Sequence, residues 1–214
     1  MDNLKLEGIK EEAKKFFEKS NGCHDFHHTE RVYNLCMQIG KKENANLEIL
    51  GTAALLHDIG REEEMRTKGK ICHAEHGSRI AQKILEKKNF NKDDIDKIIH
   101  CVQCHRFRKN KIPESKEAKI LFDADKLDSI GAIGLGRAFL FAGEVGARLH
   151  DENVDIEKTE SYSKEDTPYR EFLIKLSKIK DRLFTEEGRR IAEERHGYME
   201  DFFKRLNKEI KGEI

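Results

Sequence analysis

Three short segments place polar side chains on the apolar face of helical sequence patterns, where a single buried imidazole or carboxylate is costly. They contain His28 in HDFHHTERV, the doublet His57-Asp58 in AALLHDIGR, and Asp125 in ILFDADKLDSIGAIG. The inward rows around them are Val32, Leu35, Cys36 and Ile39 after His28; Leu50, Ala53 and Ala54 before His57; and Ala118, Leu121 and Phe122 before Asp125. For one segment alone, a hydrogen-bonded buried network is the alternative. For all three together, a divalent metal ion satisfies the inward side chains best.

The composition predicts an all-α chain. Charged residues make up 38% of 214 residues, only two prolines interrupt the chain, and alternation of β-branched residues is nearly absent. The predicted helices lie at about 2–19, 28–43, 47–59, 73–88, 92–107, 115–128, 130–149, 168–182 and 185–210. The polar stretch 150–167 predicts a long loop or lid. We find no internal repeat and expect a single domain over residues 1–214.

Charge and cysteine usage restrict the partners and the compartment. Lys+Arg and Asp+Glu are both 41, so no global basic field indicates binding to nucleic acid. The apolar runs are far shorter than the roughly 20 residues that span a bilayer, so no membrane partner is expected. Five cysteines without a secretion signal predict reduced thiols and a cytoplasmic location. The sequence leaves the oligomeric state open, a homodimer included.

Two patterns imitate known binding motifs without their context. Cys101 and Cys104 have the spacing of a zinc knuckle or redox pair, but no second such pair follows, which favours small buried helix residues. The glycines at 131, 134 and 136 imitate a dinucleotide-binding loop, but no strand precedes them, so close helix packing explains them better. Neither pattern therefore indicates a cofactor.

The order and surroundings of the three polar segments resemble the HD-domain metal-dependent phosphohydrolases, in which a His, a His-Asp doublet and a distant Asp lie on helices. The resemblance extends to HAEHGS, CHRFR and RRIAEERHGYMEDF and is nearest to small stand-alone bacterial HD hydrolases, some of which act on nucleotides. It implies a helical HD bundle and attack of metal-bound water on a nucleotide or another small phosphate ester. The alternatives are a non-catalytic metal-binding regulatory module and a di-iron oxygenase of the HD type.

The metal ligands expected from the residues and the resemblance are His28, His57, Asp58 and Asp125. Two nitrogens and two carboxylate oxygens suit one manganese, iron, cobalt, nickel or zinc ion and bind magnesium less well. Four protein ligands leave two positions of a six-coordinate ion for water or a substrate oxygen. The neighbours His57 and Asp58 reach one ion only if the helix ends there, and Ile59-Gly60 supplies that end.

The resemblance further implies that Asp58 and Glu62 are catalytic, with Glu62 protonating the leaving oxygen. Glu63 and Glu64 are alternatives for that role. Phosphate needs nearby cations, and arginine binds it through two parallel hydrogen bonds. The cations expected to bind substrate are Arg31, Arg61 and Lys126.

His76 and His105 are the next candidates, because each joins an inward row, His76 with Ile80 and Ile84, and His105 with Ile98 and Val102. They either contact substrate phosphate, hold a second ion as in some two-metal relatives, or are core histidines. His73 is a weaker version of the same case. We expect substrate contact and a single ion, because no further carboxylate is clearly placed to bridge two ions.

Overall fold

The computed structural model describes residues 3–18, 25–106 and 111–214, and within these ranges it contains helices and no strand. The all-α prediction is confirmed. No helix in these ranges has both the length and the apolar character needed to cross a membrane. The α-helices are α1 (Asn3–Lys14), α2 (Phe26–Lys42), α3 (Leu47–Leu56), α4 (Arg61–Arg66), α5 (His73–Lys87), α6 (Lys92–Cys104), α7 (Lys116–Leu127), α8 (Gly131–Glu144), α9 (Pro168–Ile174) and α10 (Glu186–Ile210).

Several helix predictions differ from the structure. The helix expected at 130–149 ends at Glu144, and the one expected at 2–19 ends at Lys14 and continues as a 3-10 turn. The helix expected at 47–59 ends at Leu56, before the doublet. Helix α4 was not predicted, because its six residues are charged or exposed and bury no apolar face. The helix expected at 168–182 ends at Ile174, since Lys175 leaves the helical region at φ −134°, and short 3-10 turns follow it.

The described chain divides into two compact units, Met1–Asp125 and Lys126–Ile214. In the first unit α3 is the central helix and packs against α1, α2, α5 and α6. Every residue from Ile49 to Leu56 is buried, as is typical of a helix surrounded by other helices. Side-chain caps fix where two helices begin: Asp25 accepts from the backbone of His28 in α2, and Asn46 caps α3.

In the second unit α8 packs against α9 and α10, around the aromatic side chains Tyr169, Phe172 and Phe203. Residues 150–167 form the predicted long loop, and the buried Arg170 of α9 holds it. Its guanidinium donates to the hydroxyl and the carbonyl of Thr159, both at 2.6 Å, and to Oδ1 of Asp166 at 2.8 Å. Arg170 therefore fixes this loop to its own unit, together with the ion pair between Glu152 and Lys211.

The described cysteines are free thiols, and Cys23 lies outside the described residues. Burial raises the pKa of Cys101 to about 12 and that of Cys36 well above its ordinary value. Burial also raises the pKa of Cys104. These thiols are protonated at neutral pH and pack as small apolar groups, as predicted for the Cys101–Cys104 pair.

Candidate metal centre

The His57-Asp58 doublet lies in the turn formed by residues 57–60, between α3 and α4. Gly60 closes this turn and packs directly on the backbone of α5. A Cβ at Gly60 would lie only 2.7 Å from the backbone nitrogen of Gly77. The helix end predicted at the doublet is therefore present, and the turn lies against the beginning of α5.

The first ligand set consists of His28, His57 and Asp125, from α2, the end of α3 and α7, and all three are buried. Nε2 of His28 lies 3.3 Å from Nε2 of His57 and 3.4 Å from Oδ1 of Asp125. Oδ2 of Asp58 lies 3.6 Å from Nε2 of His28 and 3.8 Å from Nε2 of His57. Ligands about 2.0–2.2 Å from a common ion lie roughly 3–4 Å apart, so these four side chains have the spacing of one metal site.

The second ligand set consists of Asp58, His73 and His105, which are also buried. Nε2 of His73 lies 2.9 Å from Nε2 of His105. Oδ1 of Asp58 lies 3.1 Å from the first of these nitrogens and 3.5 Å from the second. The two oxygens of Asp58 are thus divided between the two sets, which is the position of a carboxylate shared by two ions.

His57 and His105 are oriented by the same kind of hydrogen bond, from the ring to a backbone carbonyl. Each follows the last residue of a helix and turns its ring back onto that helix. Nδ1 of His57 donates to the carbonyl of Ala54 at 2.7 Å, and Nδ1 of His105 donates to that of Val102 at 2.6 Å. A carbonyl oxygen only accepts, so Nδ1 carries the proton and Nε2 keeps its lone pair in each neutral ring. Both lone pairs therefore face the ligand sets, as metal-binding nitrogens require.

Burial keeps these rings neutral. It lowers the pKa of His57 to about 4, and it also lowers the pKa of His105. Burial alone would raise the pKa of Asp58, but the charge of Arg61, whose Nε lies 2.9 Å from Oδ2, holds that pKa well below its ordinary value. At neutral pH the centre therefore offers neutral imidazoles and an ionised carboxylate, the protonation states that a divalent cation requires.

Asp58 also supplies the test of whether the residues fit a metal ion. Its Oδ1 is fully buried and makes no hydrogen bond, which is costly for an ionised oxygen. Around it the Nε2 atoms of His73 and His105 approach each other to 2.9 Å. A divalent cation would satisfy both the oxygen and the nitrogens. Among the described residues, only the two sets bring three such ligand atoms within 4.8 Å of one another.

His76 belongs to neither set, and His73 occupies the place that was expected for it beside His105. The prediction that Ile80 and Ile84 form an inward row with His76 is wrong, because both isoleucines are only half-buried. Glycine and alanine bring the backbone of α5 close to the doublet turn, so the row of smallest residues faces inward. The buried residues of α5 are His73, Ala74, Gly77, Ser78, Ala81 and Leu85.

Of the three adjacent acids on α4, Glu64 is the one that contacts a ligand set. Its Oε2 lies 2.6 Å from Nδ1 of His73. Glu62, the acid chosen from the sequence, is exposed, and Glu63 pairs with Arg66 at 2.6 Å. Glu64 is therefore the acid of the three that lies at the site, and the role of Glu62 in protonating the leaving oxygen stays a prediction.

Two arginines lie beside the ligand sets. Arg61 contacts Asp58 as described, and Nη1 of Arg106 donates to Oε1 of Glu64 at 2.7 Å. Arg106 was missed as a site residue, although its segment CHRFR belongs to the resemblance. Burial opposes ionisation of Glu64, but His73 and Arg106 together lower its pKa to about 2. The two other cations expected to bind substrate are half-buried: Arg31 on α2 and Lys126 on α7.

Comparison with known proteins agrees with this geometry. The HD domain family model matches residues 25–130. YpgQ of Bacillus subtilis is 37% identical over 199 residues, which cover 91% of this chain and 88% of YpgQ. This chain belongs to the HD-domain family.

Solved HD structures share the fold over nearly the whole chain. YpgQ of B. subtilis in complex with ADP has a TM-score of 0.75 and 30% identity and covers 96% of this chain and 95% of its own. An HD-superfamily hydrolase from Bacillus thuringiensis has a TM-score of 0.79 and 28% identity, with 99% of each chain covered. HD domains bind divalent metal ions, and the similarity to HD hydrolases supports a hydrolase-type enzyme in general terms.

Proposed function

We propose that this HD protein is a metal-dependent phosphohydrolase that acts on a nucleotide or another small phosphate ester. The observation that carries the proposal is the convergence of four buried ligands, His28, His57, Asp58 and Asp125, at the spacing of one ion. The ADP complex of YpgQ, a relative that this chain matches along most of its length, supports a nucleotide as the substrate class.

The ion expected at the first set with Asp58 is a divalent transition metal, for which mixed nitrogen and oxygen ligands are suited. Manganese, iron, cobalt, nickel and zinc fit this set better than magnesium. A bound ion of this kind supplies Lewis-acid polarisation of a phosphoryl oxygen and activates water. Burial keeps His57 neutral and Arg61 keeps Asp58 ionised, so these two ligands are ready for the ion at neutral pH.

Arg61 is the first cation that we propose to bind the substrate phosphate. Its Nε bonds to Asp58 and its Nη1 lies 3.5 Å from Oε2 of Glu64, while its side chain is 21% exposed, so part of the guanidinium can reach a substrate anion. Arg31 and Lys126, half-buried near ligands in the sequence, are proposed to contribute in the same way. These assignments predict that substrate affinity falls when each charge is removed.

The second set favours a second ion over direct contact with phosphate. The expectation of a single ion depended on the lack of a bridging carboxylate, and Asp58 has one oxygen toward each set. In addition, the Nε2 lone pair of neutral His105 would repel a phosphate oxygen but binds a cation. We therefore infer that His73, His105 and Asp58 hold a second ion beside the first.

A dinuclear centre also permits a second candidate function, the di-iron oxygenase of the HD type. The specific observation that favours it is the shared carboxylate Asp58 between two sets of histidines. Such an enzyme would need iron in both sets and would consume dioxygen. The regulatory module is the third candidate, in which the metal only stabilises the fold.

One experiment separates these functions. Metal-free protein is loaded in turn with manganese, nickel, cobalt, iron or magnesium and incubated with phosphomonoesters, nucleoside diphosphates and nucleoside triphosphates. Release of phosphate or pyrophosphate without oxygen supports the hydrolase. Oxygen consumption by the iron-loaded protein alone supports the oxygenase, and stoichiometric metal without any turnover supports the regulatory module.

The compartment and the assembly stay predictions. A cytoplasmic location is proposed from cysteine usage, and the described cysteines are free thiols. A single domain over 1–214 and a homodimer are likewise proposals. Domain-boundary proteolysis and light scattering of the purified protein would test them.

A further inference from the structure

His73 differs from His57 and His105 in what holds its ring. Those two rings donate to carbonyls of their own helices, whereas His73 is the first residue of α5 and has no such carbonyl behind it. Its Nδ1 instead lies 2.6 Å from Oε2 of Glu64 on α4. A side chain from another helix therefore sets the orientation of this ring.

A second residue competes for the same ring nitrogen. Nη1 of Arg106 lies 2.6 Å from Nδ1 of His73 and 2.7 Å from Oε1 of Glu64. A carboxylate only accepts and a guanidinium only donates, so the two partners require opposite tautomers of His73. Bonding to Glu64 puts the proton on Nδ1, and bonding to Arg106 puts it on Nε2.

We propose that Glu64 is a positioning residue that fixes His73 with its proton on Nδ1 and its Nε2 lone pair toward the second set. In this arrangement both oxygens of Glu64 are used, since Oε2 accepts from His73 and Oε1 accepts from Arg106. Arg106 then holds the carboxylate of Glu64 in place. Its Nη1 comes close to Nδ1 of His73 because both groups bond to that same carboxylate.

The consequence is that His57, His73 and His105 present the same tautomer to the centre. His57 and His105 do so through backbone carbonyls, which no substitution of another side chain can remove. His73 does so through an ionised side chain, so its orientation alone depends on one replaceable residue. Carboxylates that orient ligand histidines typically change metal affinity or activity by about 10–100-fold when removed.

The inference rests on the proposed function only where turnover is concerned. The test uses the full-length metal-free protein, because an ion bound to Nε2 would itself keep the proton on Nδ1. The histidines are labelled with ¹⁵N, and long-range ¹H–¹⁵N spectra distinguish the two ring nitrogens. The His73 signals are assigned by their loss in His73→Gln. We expect a protonated Nδ1 at His73 in the wild type and in Glu64→Gln, whose amide oxygen still accepts. In Glu64→Ala the proton should move to Nε2 or distribute between the two nitrogens.

Glu63→Ala is the matched control, because Glu63 lies on the same helix but pairs with Arg66. It should leave the His73 signals unchanged. A wild-type His73 protonated on Nε2, or an unchanged spectrum in Glu64→Ala, would overturn the proposal. This readout does not need a substrate, so an inactive wild type would contradict the phosphohydrolase and leave the role of Glu64 to be decided by the spectra.

If the substrate panel identifies an activity, measurements of turnover provide a second test of the role of Glu64. Glu64→Ala should lower kcat by about 10–100-fold, because the ring that Glu64 orients belongs to the second ligand set. Glu64→Gln should recover most of kcat. Equal loss in both variants would indicate a role for the charge itself and contradict positioning.

Discussion

Gly60 lies directly against Gly77, so the turn that carries the doublet contacts the first turns of α5 backbone to backbone. A Cβ on Gly77 would lie 3.1 Å from the nitrogen of Gly60, and one on Gly60 would also collide with the carbonyl of His73. The φ of Gly60 is −93°, so space and not backbone conformation requires glycine there. This contact sets the distance between Asp58 and His73, and hence between the two ligand sets.

Gly60→Ala should therefore destabilise the protein and loosen the centre. The added methyl group has no room, and overpacking of this kind costs about 1–3 kcal/mol. Unfolding in urea of the metal-free protein measures the loss. Gly136→Ala is the control, since a Cβ there meets nothing within 4 Å on a helix, where alanine is favoured. Wild-type stability of Gly60→Ala would show that the turn can move away from α5.

The first set and the helical class could be predicted from the sequence because each depends on local periodicity. A His or Asp that continues a strongly apolar row is expected to be buried, and this locates His28, His57 and Asp125. The family resemblance then adds that the three rows meet. In the structure, the packing of α2 on α3 brings His28 to His57.

The second set could be predicted only in part, because its geometry depends on long-range contacts. Two rows on α5 compete, and the sequence pattern favours the bulkier one, with Ile80, over the row of small residues that faces the doublet. His73 was therefore ranked below His76. Asp58 has one oxygen toward each set, and Glu64 of α4 contacts His73 of α5. Both contacts depend on how the backbones of different helices are placed, which the spacing of residues in the sequence does not determine.

Asp58→Ala should abolish hydrolysis and remove most of the metal while the protein stays helical. The substitution removes the oxygen that each set uses, whereas the helices keep their apolar contacts. Metal analysis after dialysis, circular dichroism and the substrate panel measure the three effects. The proposed hydrolase would be refuted by wild-type turnover from a metal-depleted Asp58→Ala sample.

The number of ions per chain tests the second set directly. We expect two ions in the wild type and one in His73→Ala or His105→Ala, because each removes a ligand of the second set only. His76→Ala is the control and should keep two, since His76 belongs to neither set. One ion per wild-type chain, with a raised KM in His73→Ala and His105→Ala, would instead support contact between these histidines and the substrate phosphate.

The metal-free protein should lose stability as the pH falls, chiefly through His57. Its folded pKa of about 4 lies below its ordinary value of 6.5, because burial disfavours the charged ring. The unfolded chain therefore binds more protons than the folded one between these values. The stabilisation is complete above pH 6.5 and is lost as the pH falls through 6.5 toward 4. A shift of this size corresponds to about 3 kcal/mol, and Glu64 adds a lower window, from 4.5 down to about 2.

Urea unfolding at several pH values, with chelator present, measures this dependence. His57→Asn should flatten the slope between pH 6.5 and 4, because its amide does not titrate. His27→Asn is the control and should leave the slope unchanged, since the His27 side chain is 78% exposed. A wild-type stability that stays constant from pH 7 to pH 4 would mean that His57 is hydrated and free to ionise in the absence of metal. The first set would then not be a dry, preformed site, and the ion would have to organise its ligands as it binds.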